Sequence, residues 1–367
     1  MFTVFNHWDK LQTCIVGKTY PPEFYSWIKD PKVRARFEQL AEETEEDYQK
    51  LIRLLTDKFS VDVLRPEFPA DLNELWLHDK WVQPPTAPRD YFLMIHDKFW
   101  VPNVPNLHHA QHLFDRKHGT LTGSEREQAW QQFQVADQLH LDKKLSFYTH
   151  IFDTIRASGT EIVYTDQDYI NGCFVSRLGD KLYFATQSSH DSEEKILEKV
   201  NTLFPNTHNR VVHAEGHGDA VYCPITEGLI ISINDIPTYK DTFPGWEVVY
   251  LPDSTYNQKD KFEASMRMNK GRWFLPGFEK DPHMVDLVDH YFDEWIGQAS
   301  ETVFHVNILV VDSKNIVVSS YSDKVADACK RYGIEMHVVP FRHKYFWDAG
   351  THCITNDINR VRVTVTS

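Results

Sequence analysis

The sequence predicts an α/β protein, a five-bladed β/α-propeller of repeated ββαβ units, on three observations. A short pattern of polar residue, apolar strand, tight polar turn and second apolar strand recurs five times along the chain. Helical segments follow the copies, and a further strand follows the best-defined helix. Units that each bury one face only against a neighbour close most simply into a ring, so residues 1–367 are read as a single propeller domain.

The elements follow in chain order. A first strand spans Thr13 to Val16, and a long helical stretch runs from about Val33 to Phe59. The first copy of the pattern is Asp90 to Val101, with Asp-Lys at its turn. The segment from about His108 to Leu145, rich in charge and Gln, reads as an insertion or flap of helices on the surface. The second copy, Cys173 to Phe184, turns on Gly-Asp. A helix follows, with Asp191 as its cap, Glu194 completing a capping box, and Ile196, Leu197, Val200, Leu203 and Phe204 on one face. The third and fourth copies are Asp219 to Ser232 and His305 to Val318. From Ser322 a helix carries Val325, Ala328, Cys329 and Tyr332 to a stop at Gly333, and Ile334 to Val339 is a strand. The fifth copy, Cys353 to Val363, is also read as a hairpin.

Composition bounds the function. With 41% hydrophobic, 13% aromatic and 25% charged residues the chain is globular and able to bury a sizeable core. Its formal charge of −14 argues against nucleic-acid binding, which needs a basic footprint, and suits a small cationic ligand. The N-terminus lacks the basic start and apolar run of a secretory signal, and no stretch approaches the roughly 18 apolar residues of a membrane span. Five cysteines at wide spacing, with no CxxC pair, speak against a disulfide framework and a structural zinc site. The expectation is a soluble cytoplasmic protein with free thiols. His108, His109 and His112 offer an i, i+4 pair without a third ligand and are read as a surface cluster, so no metal is expected.

The units begin at Asp90, Cys173, Asp219, His305 and Cys353. In a ring of equivalent units equivalent positions converge near the axis, which would assemble a nucleophile, an acid–base group and two anchors for a cation. Taken alone, each has a plainer reading. Cys14, Cys223 and Cys329 are small core hydrophobes and Cys173 packs behind the site; Asp219 could be a turn residue, and Asp90 could cap a strand or pair with Arg89.

Several motifs then resemble a known family. Asn6-His-Trp-Asp-Lys-Leu11 leading to Ile15-Val-Gly17, Pro88-Arg-Asp90, Glu215-Gly-His-Gly-Asp219, His305-Val-Asn307 and Gly350-Thr-His-Cys-Ile-Thr355 come in the order seen in the amidinotransferases of the guanidino-group-modifying (pentein) superfamily, which has a five-bladed β/α-propeller fold. The resemblance implies Cys353 as nucleophile, His305 as general acid and base, Asp219 as the carboxylate that orients His305 and holds a guanidinium, and Asp90 as a guanidinium anchor. Arg89, Asn307, Glu215, His217 and Asp348 are the further substrate-binding candidates.

The chemistry stands without the resemblance. A thiol with a pKa near 8.5 is only a few per cent ionised at neutral pH, so Cys353 needs a nearby cation, such as the bound guanidinium or a protonated His305. A planar guanidinium can be held by two carboxylates through charge-assisted hydrogen bonds, presenting its central carbon to sulfur. The resemblance implies that an amine then collects the amidino group, from arginine or a similar donor to an acceptor such as glycine and with no metal or organic cofactor, because the N-terminal motif looks more like the transferases than the deiminases. If water took the amidino group the enzyme would be a deiminase, and a propeller that only binds is the reading from another class. The implied partners are a guanidino donor, an amine acceptor and, by default, a second copy of the chain.

The chain departs from the pattern at three places. Asn307 stands where many members carry Asp, which removes a negative charge. Asp348 precedes Ala349-Gly350 where a glycine run is usual, and could replace that charge. No arginine follows the strand ending at Ser320, where arginine-using members bind the donor's α-carboxylate; Lys324 as a stand-in, and a donor lacking that carboxylate, are the two readings.

Overall fold

The computed structural model describes residues 1–105, 107–186, 192–214, 217–233, 239–251, 281–292 and 303–362, with Phe278 and Trp295. Strand β1 (Lys10–Val16) is followed by α1 (Pro31–Arg53), which starts where Asp30 accepts hydrogen bonds from the backbone N–H of Lys32 and Val33, with Pro31 in the first turn. Val33, Phe37, Leu40, Ala41, Thr44, Tyr48 and Leu51 recur at three- and four-residue spacing and are buried. Truncating Phe37 to Ala there should cost ~3–5 kcal/mol. A π-turn, Leu54–Lys58, ends the helix, and β2 (Asp62–Leu64) returns parallel to β1. A small hairpin, β3 (Trp76–Leu77) and β4 (Lys80–Trp81), comes next.

The second unit pairs β5 (Leu93–Ile95) with β6 (Lys98–Pro102), passes through α2 (Leu107–His118), α3 (Gly123–Ser146) and α4 (Thr149–Ala157), and adds β7 (Glu161–Thr165) parallel to β6. The third is β8 (Val175–Leu178), β9 (Lys181–Thr186), α5 (Glu193–Leu203) and β10 (His208–His213). The fourth is β11 (Tyr222–Thr226), β12 (Leu229–Ser232), the single turn α6 (Tyr239–Thr242) and β13 (Glu247–Tyr250). After α7 (Pro282–Tyr291) come β14 (Leu309–Asp312), β15 (Asn315–Val318), α8 (Asp323–Tyr332) and β16 (Glu335–Val338). The short α9 (Lys344–Trp347) leads to β17 (Thr355–Val361).

Among the described residues these strands form five three-stranded sheets of one build, an antiparallel pair plus a parallel third strand reached through a helix. A parallel return needs such a crossover, which is why every unit carries its helix between the second and third strands. Apolar residues gather in two clusters, one around α1 and β1, the other around the sheets from β8 to β16.

The fifth unit corrects the sequence reading. Among its described residues, Cys353 to Arg362, there is no hairpin: β17 is one strand, and its antiparallel partner is β1, with Val16 opposite Thr355 and Lys10 opposite Val361. The run Asn356-Asp-Ile-Asn looks like turn chemistry, but two of its polar side chains have buried work instead. Asn356 donates to the carbonyls of Phe92 and Pro88 at 2.6 and 3.3 Å. Asp357 is fully buried and accepts from Arg89, Arg177 and Arg360. Burial opposes its ionisation, but the three guanidiniums overcome that and hold the carboxyl well below the usual range.

The predicted cap at Asp191 lies outside the described residues, and α5 begins after Ser192. Gly333 ends α8 at φ 65°, as the stop signal required. The predicted insertion is helical; the backbone of His108, His109 and His112 is in α2, and their side chains lie outside the described ones. All five cysteines are unpaired and buried. Among the described residues no helix is long and apolar enough to cross a membrane.

Candidate active site

The turns before β5, β8, β11, β14 and β17 carry Asp90, Cys173, Asp219, His305 and Cys353, the register expected from the repeats. The structure brings four of these together. Cys353 Sγ lies 3.3 Å from Asp219 Oδ2, and Asp90, Asp219 and Cys353 all act electrostatically on the Cys173 thiol. His305 is half-buried in the turn Val303–His305, two residues before Asn307.

Asp219, expected to orient His305, holds His352: its Oδ2 lies 2.7 Å from His352 Nδ1, and its Oδ1 has no hydrogen-bond partner. Burial, aided by Arg89 and His7, pushes the His352 pKa well down and favours the neutral ring, and which of the two groups donates follows from the tautomer. The sequence signal for His352 was its place beside Cys353 in Gly350-Thr-His-Cys, which gave it no role.

Asn307 is 2% exposed and its amide is fully engaged with the nucleophile's turn. Oδ1 accepts from the backbone N–H of His352 and of Cys353, both at 2.9 Å. Two N–H donors fix the amide's orientation, so Nδ2 must face the thiol, to which it donates at 2.9 Å. Asn307 therefore positions Cys353 and is not open to substrate. Gly350 permits this packing, because a Cβ there would sit 2.6 Å from Asn307 Oδ1.

Arg89 is likewise withdrawn from the expected binding role. It is fully buried, donates to Asp357 at 2.9 Å, and reaches the carbonyls of His352 and Thr355 at 2.8 and 2.9 Å. It braces the turn that carries Cys353 from below. Glu215 lies outside the described residues.

A cavity of about 220 Å³ lies alongside, lined by Asp90, Cys173, His217 and Asp348 from the candidates and by Tyr91 and Trp347, among others. This suits a ligand below drug size. Cys353 and Asp219, 5% and 7% exposed, are not part of the lining but lie behind it, within electrostatic reach of Asp90. His217 packs edge-on against Phe174, and Asp348 sits at φ 47°, a left-handed conformation that Asp tolerates. A larger hollow of about 590 Å³ runs along α7 and holds none of the candidates.

Burial drives the titrating groups toward their neutral forms. It raises Asp219 to about 7, against hydrogen bonds from Cys353 and Asn307 and the charge of Arg89. Asp90 is raised well above its ordinary value by burial and by Asp219 and Asp348, and its Oδ1 has no hydrogen-bond partner. The Cys353 thiol is also pushed well up, by burial and then by the two carboxylates, with only Asn307 favouring the thiolate. Asp90, Cys173 and His217 offer ligand atoms within 4.8 Å of one another, a geometry able to hold a metal ion. The Cys173 thiol, however, donates to Asn171 Oδ1 at 2.8 Å, and its ionisation is disfavoured by burial and by Asp90.

No family model matches the chain, and no curated protein matches it in sequence. Among solved structures, SxtG, an amidinotransferase from Microseira wollei in the saxitoxin biosynthetic pathway, aligns with 100% of this chain and 99% of its own, at 14% identity and TM-score 0.62. The two chains share a fold. StrB1, the inosamine-phosphate amidinotransferase of Streptomyces griseus, aligns over 100% of this chain and 99% of its own at 16% identity and TM-score 0.61. The N-terminal domain of ArgZ, a cyanobacterial arginine dihydrolase, covers 97% of this chain and 98% of its own at 11% identity and TM-score 0.50. The likeness is one of backbone, shared with the two amidinotransferases and the dihydrolase alike.

Proposed function

We propose that the protein is an amidinotransferase that moves the amidino group of arginine or a similar guanidino donor to an amine through an adduct on Cys353. The carrying observation is the pair of buried carboxylates with unpartnered oxygens, Asp90 and Asp219, set around a thiol whose ionisation burial and those carboxylates disfavour. On this reading the five sheets are the blades of one closed propeller, the protein is cytoplasmic, and the donor reaches Sγ past Asp90.

A bound guanidinium supplies the positive charge that favours ionised Asp90, Asp219 and Cys353 together. The thiolate attacks the central carbon, a carbon–sulfur bond forms, and the carbon–nitrogen bond to the donor's amine breaks. The leaving amine takes up one proton, the one lost by the thiol, and His305 is the proposed carrier between them. An acceptor amine then attacks the amidino carbon, gives its proton to His305, and expels the thiolate. Transfer is preferred to hydrolysis because both amidinotransferases align at higher TM-scores than the dihydrolase.

The test is mass spectrometry of products from arginine labelled in its guanidino group, with and without a pool of primary amines that includes glycine. Ornithine plus a labelled guanidino product that requires an amine supports transfer, and citrulline without amine makes the protein a hydrolase. Arginine returned untouched, as by a Cys353→Ala control, leaves a binding protein. His305→Ala should abolish adduct formation, whereas His352→Ala should form it slowly.

A further inference from the structure

We propose that His352, backed by His7 of the N-terminal motif, is a positioning residue that sets Asp219 so that one carboxylate oxygen faces Cys353 and the other is left for the guanidinium; this rests on the amidino-transfer reading. Two contacts meet on Asp219 Oδ2: His352 Nδ1 lies 2.7 Å away, and the Cys353 thiol donates at 3.3 Å. Oδ1 is buried and has no hydrogen-bond partner among the described residues. A carboxylate gripped at one oxygen keeps the other for a charge-assisted bond to a planar cation.

His352 is itself fixed from three directions. Its backbone N–H donates to Asn307 Oδ1 at 2.9 Å, and its carbonyl accepts from Arg89 Nε at 2.8 Å. Its ring lies against that of His7, with centroids 6.0 Å apart and planes tilted by 49°. His7 is buried on a segment tied to two hairpins: Val4 bridges to His96, Asn6 bridges to Leu178, and the His7 N–H donates to the Arg177 carbonyl at 3.2 Å.

This gives the N-terminal motif a part in the site. Among the described lining residues of the cavity none comes from Asn6 to Leu11, so the motif acts on the reaction through other residues. The contacts run from His7 to His352 to Asp219 to Cys353 and join the first motif of the sequence to the last. The pair of rings serves as a brace and not as a proton store, because burial, with Arg177 at His7 and Arg89 at His352, disfavours the imidazolium of each. What it supplies is a fixed direction for a carboxylate, and that direction decides how a bound cation meets sulfur.

The experiment labels the full-length protein with chloroacetamidine, a planar cation, and with chloroacetamide, its neutral isostere, and follows Cys353 by mass spectrometry. Sulfur displaces chloride from the same carbon in both. The ratio of the two rates, taken against that of glutathione, therefore reads the delivery of a cation to Sγ and not the reactivity of the thiol. It should fall about 10- to 100-fold in His352→Leu, the worth of a hydrogen bond to a charged group, and return in His352→Asn, whose amide can place a hydrogen-bonding atom where Nδ1 stands. His7→Ala should lower it as well, and should add nothing in the His352→Leu background. A ratio unchanged in His352→Leu, or not restored in His352→Asn, overturns the proposal, and so does a loss shared equally by both reagents, which marks damage to the turn that carries Cys353. A His7→Ala effect that adds to that of His352→Leu overturns the part given to His7. A wild type without preference for the cation fails the amidino-transfer reading and the proposal with it, whereas a wild-type preference that His352→Leu leaves intact fails the positioning role alone.

Discussion

Asn307 occupies a position where a carboxylate was expected, and its amide does what a carboxylate could not. It accepts from two backbone N–H groups with one atom and donates to Cys353 Sγ with the other. An Asp there would keep the first role and lose the second, placing a third negative charge near the thiol beside Asp90 and Asp219. Asn307→Asp should therefore slow Cys353 alkylation at neutral pH about 10-fold or more and move its pH midpoint upward, as for a thiol whose stabilising donor becomes a like charge. An unchanged alkylation profile would remove Asn307 from the activation of Cys353. The loss of charge was legible in the sequence; the gain of a donor was not, because it depends on which atoms face the amide. The same holds for His352, whose adjacency to Cys353 was visible while its hold on Asp219 needed the turn's geometry.

The turn before β17 is the element on which the site depends, and it is fixed from both sides. Asn307 and Thr351 tie it to the segment before β14 and to β15, and Arg89 supports it through two carbonyls and Asp357. Lysine keeps the charge of Arg89 but cannot reach two carbonyls and a carboxylate in one plane. Arg89→Lys should thus lower thermal stability by ~2–4 kcal/mol, the scale for weakening a buried charge network, and reduce turnover with little change in donor KM. A large KM effect instead would return Arg89 to substrate binding. Hairpins at β5, β8, β11 and β14 were legible because two short apolar runs flank a polar turn. β17 was misread because its Asn and Asp side chains serve buried partners, a long-range fact. The cavity-facing side of α3 was not legible either, since Asp137 and Lys144 look like any solvated charges until the helix is seen beside Asp90.

At the scale of the molecule, two sets of buried carboxylates respond oppositely to pH. Asp357, held down by three arginines, contributes stability that is present above the unfolded carboxylate pKa and lost as pH falls toward its depressed native value. Asp219, raised from 3.8 to about 7, binds its proton more tightly when folded. Its contribution is complete below about pH 4 and is lost as pH rises through about 7; Asp90 shifts in the same direction. The empty site thus weakens the fold between about pH 4 and 7, where the unfolded chain has already released these protons. A guanidinium donor reverses this, because it binds the ionised carboxylates and needs no proton to be expelled once they have titrated. The stabilisation that a fixed concentration of arginine gives to Cys353→Ala, which cannot turn it over, should therefore grow from pH 5.5 to pH 8. Below pH 7 the affinity should rise by up to about tenfold per pH unit for each proton released on binding. Adding Asp219→Asn to Cys353→Ala should flatten that slope, and a Cys353→Ala thermal shift of the same size at both pH values would mean that arginine binds without ionising Asp219, so that the thiol must find its activating charge elsewhere.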